Sequence, residues 1–335
     1  MARKLRLLAL GTFVLLPLAL WLAGLRSSTA SVAHGLLLVP SMLLAIGIFY
    51  RAVRARRRLA MAASLAVLFP ALALSAVRAL REARPAAPPP SAAALSLVSY
   101  NLLFSARLEG SLALLKRTPA DVICLQEVTP ASAKRLDAAL GGSHPHRALE
   151  PRHGAYGLAV FSRVPLARPT VVKEGRRVAG QCVALALDGG ETALCNVHLS
   201  SPAGVVERGT RWFRGFDANA RVRARQWALL RDHVARTYPG ARHLIVAGDF
   251  NTLDTEPLYR TIRSGLVDAF AVAGGGFGGT FPTEPSSPLP IVRIDYLFAS
   301  PALVPLSAEV LPQAGSDHRA LKVTLAVPRI DTPSP

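Results

Sequence analysis

Six short polar motifs are strung along the chain: Tyr100-Asn101, Gln126-Glu127, Asn196-Val197-His198-Leu199, Gly248-Asp249-Phe250-Asn251, Arg293-Ile294-Asp295-Tyr296 and Ser316-Asp317-His318. Together they offer a carboxylate to hold a hard cation, an acid and an amide to place a water, and two imidazoles able to trade a proton. That combination suits metal-assisted hydrolysis of a phosphate ester. Taken singly, each motif has a plainer reading. Glu127 could cap the next segment, Gly248-Asp249-Phe250-Asn251 could form an Asx turn, Asp295 could pair with an arginine, and His198 could be a satisfied core histidine.

Each motif lies at the end of an apolar run that reads as a strand, which is where a sheet presents side chains to a cleft. The pattern predicts strands over 95–100, 122–126, 156–162, 244–247, 294–298 and 320–327, and a hairpin over 181–199. Helices are predicted over 110–117, 131–140, 218–236 and 257–264. Hairpins mixed with crossovers imply mixed sheets and an α/β fold. In Gly248-Asp249-Phe250-Asn251, the acid and amide at i and i+2 would point to one side of an extended backbone.

The chain divides near Pro85. Upstream, three charge-free stretches, 7–25, 32–50 and 59–77, are each 19 residues long. As helices each would be about 28 Å long, enough to cross the hydrocarbon of a bilayer. They read as three transmembrane helices in a membrane domain over 1–80. Arg3, Lys4, Arg6 and the arginines at 51, 54, 56, 57 and 58 outnumber Arg26, Arg78, Arg81 and Arg84. This places the first group in the cytoplasm and the larger domain outside it, as in a multi-pass bacterial membrane protein. A Pro/Ala-rich linker over 81–94 follows, then a domain over 95–328 and a tail over 329–335.

The net charge of +18 is concentrated upstream: residues 1–90 hold 12 basic and 1 acidic residue, against 27 and 20 in the remainder. The residual excess of seven suits an anionic substrate or lipid head groups without indicating DNA binding by itself. Cys124, Cys182 and Cys195 read as small core residues, with no zinc spacing and no disulfide framework. The expected hairpin sets Cys195 across from about Ala184, so a bridge to Cys182 would need a register shift. The basic and aromatic segment 200–217 could grip a polyanion, rest on a membrane interface or pack on its own domain. The glycine run 274–279 lacks the Gly-Lys-Ser/Thr of a phosphate loop and reads as a mobile loop beside the site.

With these motifs in place, the chain resembles the endonuclease/exonuclease/phosphatase superfamily, as a membrane-anchored member of bacterial type. The likeness runs from Leu95 to Val327 and includes Tyr156 to Arg163 and Arg225 to Leu230. It implies the DNase-I-like four-layer α/β sandwich, two mixed sheets flanked by helices. It also implies Glu127 as the principal Mg²⁺ ligand, with Asn101 near both metal and phosphate and Asp317 as an adjacent acid of the metal network. Asp249 would orient or deprotonate the attacking water, Asn251 would hold a phosphoryl oxygen, and His318, steered by Asp295, would act at the phosphate. His198 falls where nuclease and sphingomyelinase members carry a histidine.

The implied activity is a Mg²⁺-dependent phosphoesterase, with Mn²⁺ as the alternative ion, acting by in-line attack of water. The substrate could be nucleic acid, a phospholipid or a soluble phosphoester. The competing expectation is a membrane scaffold or binding protein that keeps the fold without turnover.

Overall fold

The computed structural model describes residues 87, 92–105, 107–188, 190–202, 212–283 and 292–329, with side chains of 105 and 212–216 excluded. The three expected transmembrane helices, most of the linker and residues 203–211 of the basic-aromatic segment lie outside these. Among the described residues no helix is long and apolar enough to cross a membrane.

Two six-stranded mixed sheets form the centre. The first is built from β1 (Ala93–Asn101), β2 (Val122–Gln126), β3 (His146–Glu150), β4 (Leu158–Ser162), β11 (Val304–Val310) and β12 (Leu321–Val327), in the order β11-β12-β1-β2-β4-β3. The second holds β5 (Leu166–Glu174), β6 (Arg177–Leu187), β7 (Gly190–His198), β8 (His243–Asp249), β9 (Val267–Asp268) and β10 (Asp295–Ala299), in the order β5-β6-β7-β8-β10-β9. The strand pairs β1/β2 and β7/β8 are parallel; the other paired neighbours are antiparallel.

Alternation along the strands builds the layers. Leu95 and Leu97 of β1, Val122 and Cys124 of β2, Leu194 of β7, and Ile245 and Ala247 of β8 join one buried cluster shared by both sheets. The intervening Val98, Tyr100, Ile123 and Leu125 pack with leucines of α1 (Leu108–Arg117) and α2 (Pro130–Leu140). On the far side Ala193, Cys195 and Val197 pack with Trp227 and Leu230 of α3 (Trp212–Thr237) and with Leu258 and Ile262 of α4 (Pro257–Arg263). The result is helix, sheet, sheet, helix, and each fully buried leucine in it stabilises the fold by about 1.5–3 kcal/mol. A short helix, α5 (Ala269–Ala273), follows β9.

Local chemistry agrees with several boundaries. Thr129 and Ser132 cap α2 reciprocally, Pro130 opens its first turn, and the Gly141 N–H closes it on the Asp137 carbonyl. The helix expected over 218–236 begins earlier, at Trp212. Strands β3, β5, β9 and β11 were not expected; in β5 only Val172 is fully buried, so its sequence lacks the apolar alternation that marks a half-buried strand.

The cysteine expectation is corrected. The β6/β7 hairpin closes at Leu187 opposite Gly190, one residue earlier on each strand than expected, so Cys182 faces Cys195 and Ala184 faces Ala193. With Cα atoms 4.1 Å apart, Cys182 and Cys195 form a disulfide; Cys124 is free and buried.

Candidate active site

The alternation that builds the core also assembles the site. Continuing each inward-facing series to the strand end, Leu95-Leu97 leads through Ser99 to Asn101, Leu194 to Asn196 and His198, and Ile245-Ala247 to Asp249; Asp295 starts the series Leu297-Ala299. Parallel pairing sets Asn101 beside Gln126 and His198 beside Asp249, and antiparallel pairing sets Asp295 opposite Asp249. The polar residues therefore meet at one end of the layer between the sheets.

Asn101 bridges the two sheets: its Nδ2 donates to Glu127 Oε1 and to Asp249 Oδ2, both at 3.1 Å. Its Oδ1 accepts from the Leu103 N–H at 3.0 Å, so it reaches the carboxylates through its amino group. Glu127 Oε2 accepts from the Phe104 N–H at 3.1 Å. Leu103, Phe104, Glu127 and Asn251 all have positive φ, between 48° and 59°. Left-handed backbone in non-glycine residues, gathered at one site, is the kind of strain that surrounding contacts must hold in place.

The histidines flank Asp249. His198 Nδ1–H donates to the Ala155 carbonyl at 2.8 Å, which leaves Nε2 facing Asp249 Oδ2 at 3.5 Å and Glu127 Oε1 at 3.8 Å. His318 Nδ1–H donates to Asp295 Oδ2 at 2.9 Å, and its Nε2 lies 3.8 Å from Asp249 Oδ2 and 4.0 Å from Asp317 Oδ1. The Phe281 ring packs on the His318 ring with centroids 4.8 Å apart. The Thr280 hydroxyl accepts from the backbone N–H groups of Ile294 and Asp295, fixing the strand end that carries Asp295.

Burial would lower the pKa of His318, but the carboxylates of Asp295 and Asp249 outweigh it and raise the value to about 10. Asp249 moves upward to about 6, first through burial and then through the charge of Asp295, against the pull of both histidines. One imidazole is thus held as a cation beside a carboxyl poised near neutrality, a setting suited to proton transfer at phosphate.

All of the residues singled out in the sequence thus meet at this end of the sheets, with one change of geometry. Asn251 is not on an extended strand: its backbone is left-handed, its N–H donates to Asp249 Oδ1 at 2.8 Å, and its Nδ2 donates to the Leu199 carbonyl at 3.0 Å. The tetrapeptide therefore makes an Asx-type turn, in which the amide ties the β8 end to the β7 end.

Sequence reasoning missed the supports. Gln126 Nε2 donates to Asn196 Oδ1 at 2.7 Å, and Asn196 Nδ2 donates to the carbonyls of Leu125 and Ala159. These bonds clamp the sheets together immediately behind Glu127 and His198. Buried Arg223 pairs with Glu256 at 2.6 Å and bonds to Asn219, which donates to Ser200, while Gln226 accepts from the Ser200 N–H. Gln126 and Asn196 were visible as polar letters inside apolar strands, a signal of buried hydrogen bonding; Arg223 had no such mark.

The comparisons agree with this geometry. A model of the "Endonuclease/Exonuclease/phosphatase family" matches residues 98–318. Among curated proteins none matches the sequence. Of solved structures, an endonuclease/exonuclease/phosphatase family protein from Bacteroides thetaiotaomicron is 17% identical, with 70% of this chain and 98% of that chain covered and a TM-score of 0.55. The endonuclease/exonuclease/phosphatase from Beutenbergia cavernae is 21% identical, covering 70% and 72% with a TM-score of 0.51. TDP2 of D. rerio, humanized by 14 mutations, is 18% identical, covering 69% and 98% with a TM-score of 0.53. These likenesses show the fold, the DNase-I-like α/β sandwich; the family match reaches further and supports a hydrolase acting on phosphoester bonds. With the match spanning most of the chain and reaching from β1 to His318, the protein belongs to the endonuclease/exonuclease/phosphatase family.

Proposed function

We propose that this chain is a membrane-tethered phosphoesterase that uses a divalent cation, Mg²⁺ or alternatively Mn²⁺, to hydrolyse phosphodiester or phosphomonoester bonds outside the cytoplasm. The observation that carries the reading is the bridge from Asn101 to Glu127 and Asp249, with an imidazole of each histidine facing Asp249.

The donor set fits a hard cation. Glu127, Asp249 and Asp317 supply carboxylate oxygens, and no thiol joins them among the described residues. Among the described residues, Asp249, Asp295 and His318 bring ligand atoms within 4.8 Å of one another. Because Asp295 and His318 are already bonded to each other, Glu127 is the better holder, braced by Asn101, with Asp317 on the His318 side. A bound cation would neutralise charge building on the phosphoryl oxygens.

The protein's own groups would do the rest. Asp249 orients and deprotonates the attacking water, Asn251 fixes the loop at the phosphoryl group, and protonated His318, aligned by Asp295, stabilises the phosphate and serves the leaving oxygen. His198 offers a second Nε2 on the opposite flank. Placement outside the cytoplasm is supported by the arginine distribution in the sequence and by the Cys182–Cys195 disulfide, which persists in oxidising compartments.

The test is hydrolysis of bis(4-nitrophenyl) phosphate by the full-length chain with Mg²⁺, Mn²⁺ or a chelator. Glu127→Ala and His318→Ala should each reduce turnover by about 10²–10⁴ while the folded state persists. Unchanged hydrolysis in both variants would remove the site, and a well-folded wild type without turnover on any phosphoester would favour the scaffold.

A further inference from the structure

Among the described residues four large hydrophobic side chains are exposed: Phe104 (46%), Tyr156 (39%), Leu229 and Phe277. Two of the three aromatics among them are fastened to the active site. The Phe104 N–H donates to Glu127 Oε2. On the other side of Glu127, the 152–157 segment is held to Val128: Val128 N–H donates to the Gly157 carbonyl, and Arg152 N–H donates to the Val128 carbonyl. Within that segment the Ala155 carbonyl receives the His198 Nδ1–H bond. Phe104 thus adjoins Glu127, and Tyr156 stands between the residue that orients His198 and the residue that abuts Val128.

Neither position is accidental in backbone terms. Phe104 takes φ 51° and follows Leu103 at φ 48°, a conformation that glycine or asparagine would adopt more easily, yet a phenyl ring is presented there to solvent. A Cβ on Gly157 would lie 1.8 Å from the Val128 carbonyl oxygen, so the backbone beside Tyr156 is pressed against the strand end that carries Glu127. Both aromatics sit on pinned backbone at the rim of a polar site.

We infer that Phe104 and Tyr156 form a stacking subsite for a flat ring carried by the substrate next to its reacting phosphate. Both exposed rings stand on segments hydrogen-bonded to Glu127 or to its neighbour Val128, so a ring carried beside a phosphate held at Glu127 has aromatic surface to meet, and stacking of this kind is tolerant of ring identity. Besides these two, the described residues expose only two large hydrophobic side chains, Phe277 in the glycine run and Leu229 on α3. A lipid-inserting surface would present a broader apolar patch, so a substrate ring is the better occupant. This inference rests on the phosphoesterase reading and narrows it to esters bearing a nucleobase or an aryl group.

The test uses direct calorimetric binding to the full-length chain with Mg²⁺, with phosphonates that cannot be hydrolysed at phosphorus–carbon bonds. One matched pair is phenylphosphonate and methylphosphonate; the other is 5′-deoxythymidine 5′-phosphonate and ethylphosphonate, so that no probe carries a phosphoester bond. The ringed member of at least one pair should bind about tenfold tighter, and the pair that shows it identifies aryl or nucleobase as the ring. Phe104→Ala and Tyr156→Ala should each remove most of that preference, Phe104→Trp should keep it, and ringless affinity should stay level. Equal binding within both pairs, or variants that weaken all four probes alike, would overturn the subsite and leave the phosphoesterase reading standing. Failure of every probe to bind would count against both. Loss of binding to anionic phospholipid vesicles in the two alanine variants, with no ring preference in the wild type, would assign the aromatics to a lipid surface instead.

Discussion

His318 is fastened to Asp295 through a 2.9 Å bond from Nδ1 to Oδ2, and this bond turns its Nε2 toward Asp249 on the neighbouring strand. The carboxylate does two things at once: it fixes the tautomer and it stabilises the cationic ring.

Asp295→Asn keeps the shape and removes the charge. Turnover should fall by about 10²–10⁴, and the His318 pKa, about 10 in the native protein, should drop. Because the folded value lies above the ordinary 6.5, the stability His318 contributes is fully present below pH 6.5 and is lost as pH rises through about 10. Denaturant midpoints across that window should therefore decline less in Asp295→Asn than in the wild type. Parallel declines would show that the pair is not what holds the proton.

The Cys182–Cys195 disulfide joins adjacent strands across 13 residues, and β7 carries His198 at its far end. Closing a loop of that size stabilises by about 2–3 kcal/mol. A double Cys→Ser variant, or the wild type under reductant, should show a correspondingly lower urea midpoint. Thiol titration of the denatured chain should give one reactive cysteine, Cys124, before reduction and all three after it. A count of three before reduction would mean that the bridge does not form and would withdraw its support for an extracytoplasmic domain.

Much of this architecture was legible in the sequence because two signals coincide at the site. Period-two alternation set Leu95-Leu97 and Ile245-Ala247 on one face, and the polar residues Asn101 and Asp249 continue the same series after the apolar ones end. What alternation cannot give is register: a shift of one residue on each strand of the β6/β7 hairpin decided whether Cys195 met Cys182 or Ala184. Nor does it mark strands such as β5, which is mostly uncovered, or turns such as 249–251, where a left-handed residue breaks the extended path. Contacts made by backbone, such as Ala155 holding His198, leave no trace in residue type at all.

Gln126 and Asn196 supply a prediction about spacing between the sheets. Their 2.7 Å bond is fully buried, and Asn196 also satisfies two carbonyls of the opposite sheet. Asn196→Leu removes one acceptor of the Gln126 amide, which keeps the Ser99 hydroxyl and the Cys124 carbonyl, and removes the donor shared by the Leu125 and Ala159 carbonyls, at roughly 1–3 kcal/mol in all. Thermal unfolding should shift down sharply. Gln126→Glu, which keeps the volume but loses the Nε2 donor, should lower turnover more than substrate affinity if the bond sets the approach of Glu127 to His198. A change confined to affinity would contradict that role.

Gly248 gives the last prediction, because Asp249 reaches His198 only by close approach of β8 to β7. Its φ is 146°, and a Cβ there would stand 2.0 Å from the Val197 carbonyl oxygen and 2.8 Å from the Val197 nitrogen. Those are backbone atoms of a buried strand, so they cannot swing aside as a flexible side chain would. Gly248→Ala must therefore push the two strand ends apart, lengthening the 3.5 Å contact between Asp249 and His198. Stability should fall by more than the ~1 kcal/mol typical of a single substitution. At a temperature where the variant is still folded, hydrolysis of the model diester should be lost while far-ultraviolet circular dichroism stays native. A Gly248→Ala protein with wild-type turnover would show that the Asp249–His198 spacing is not needed for the reaction.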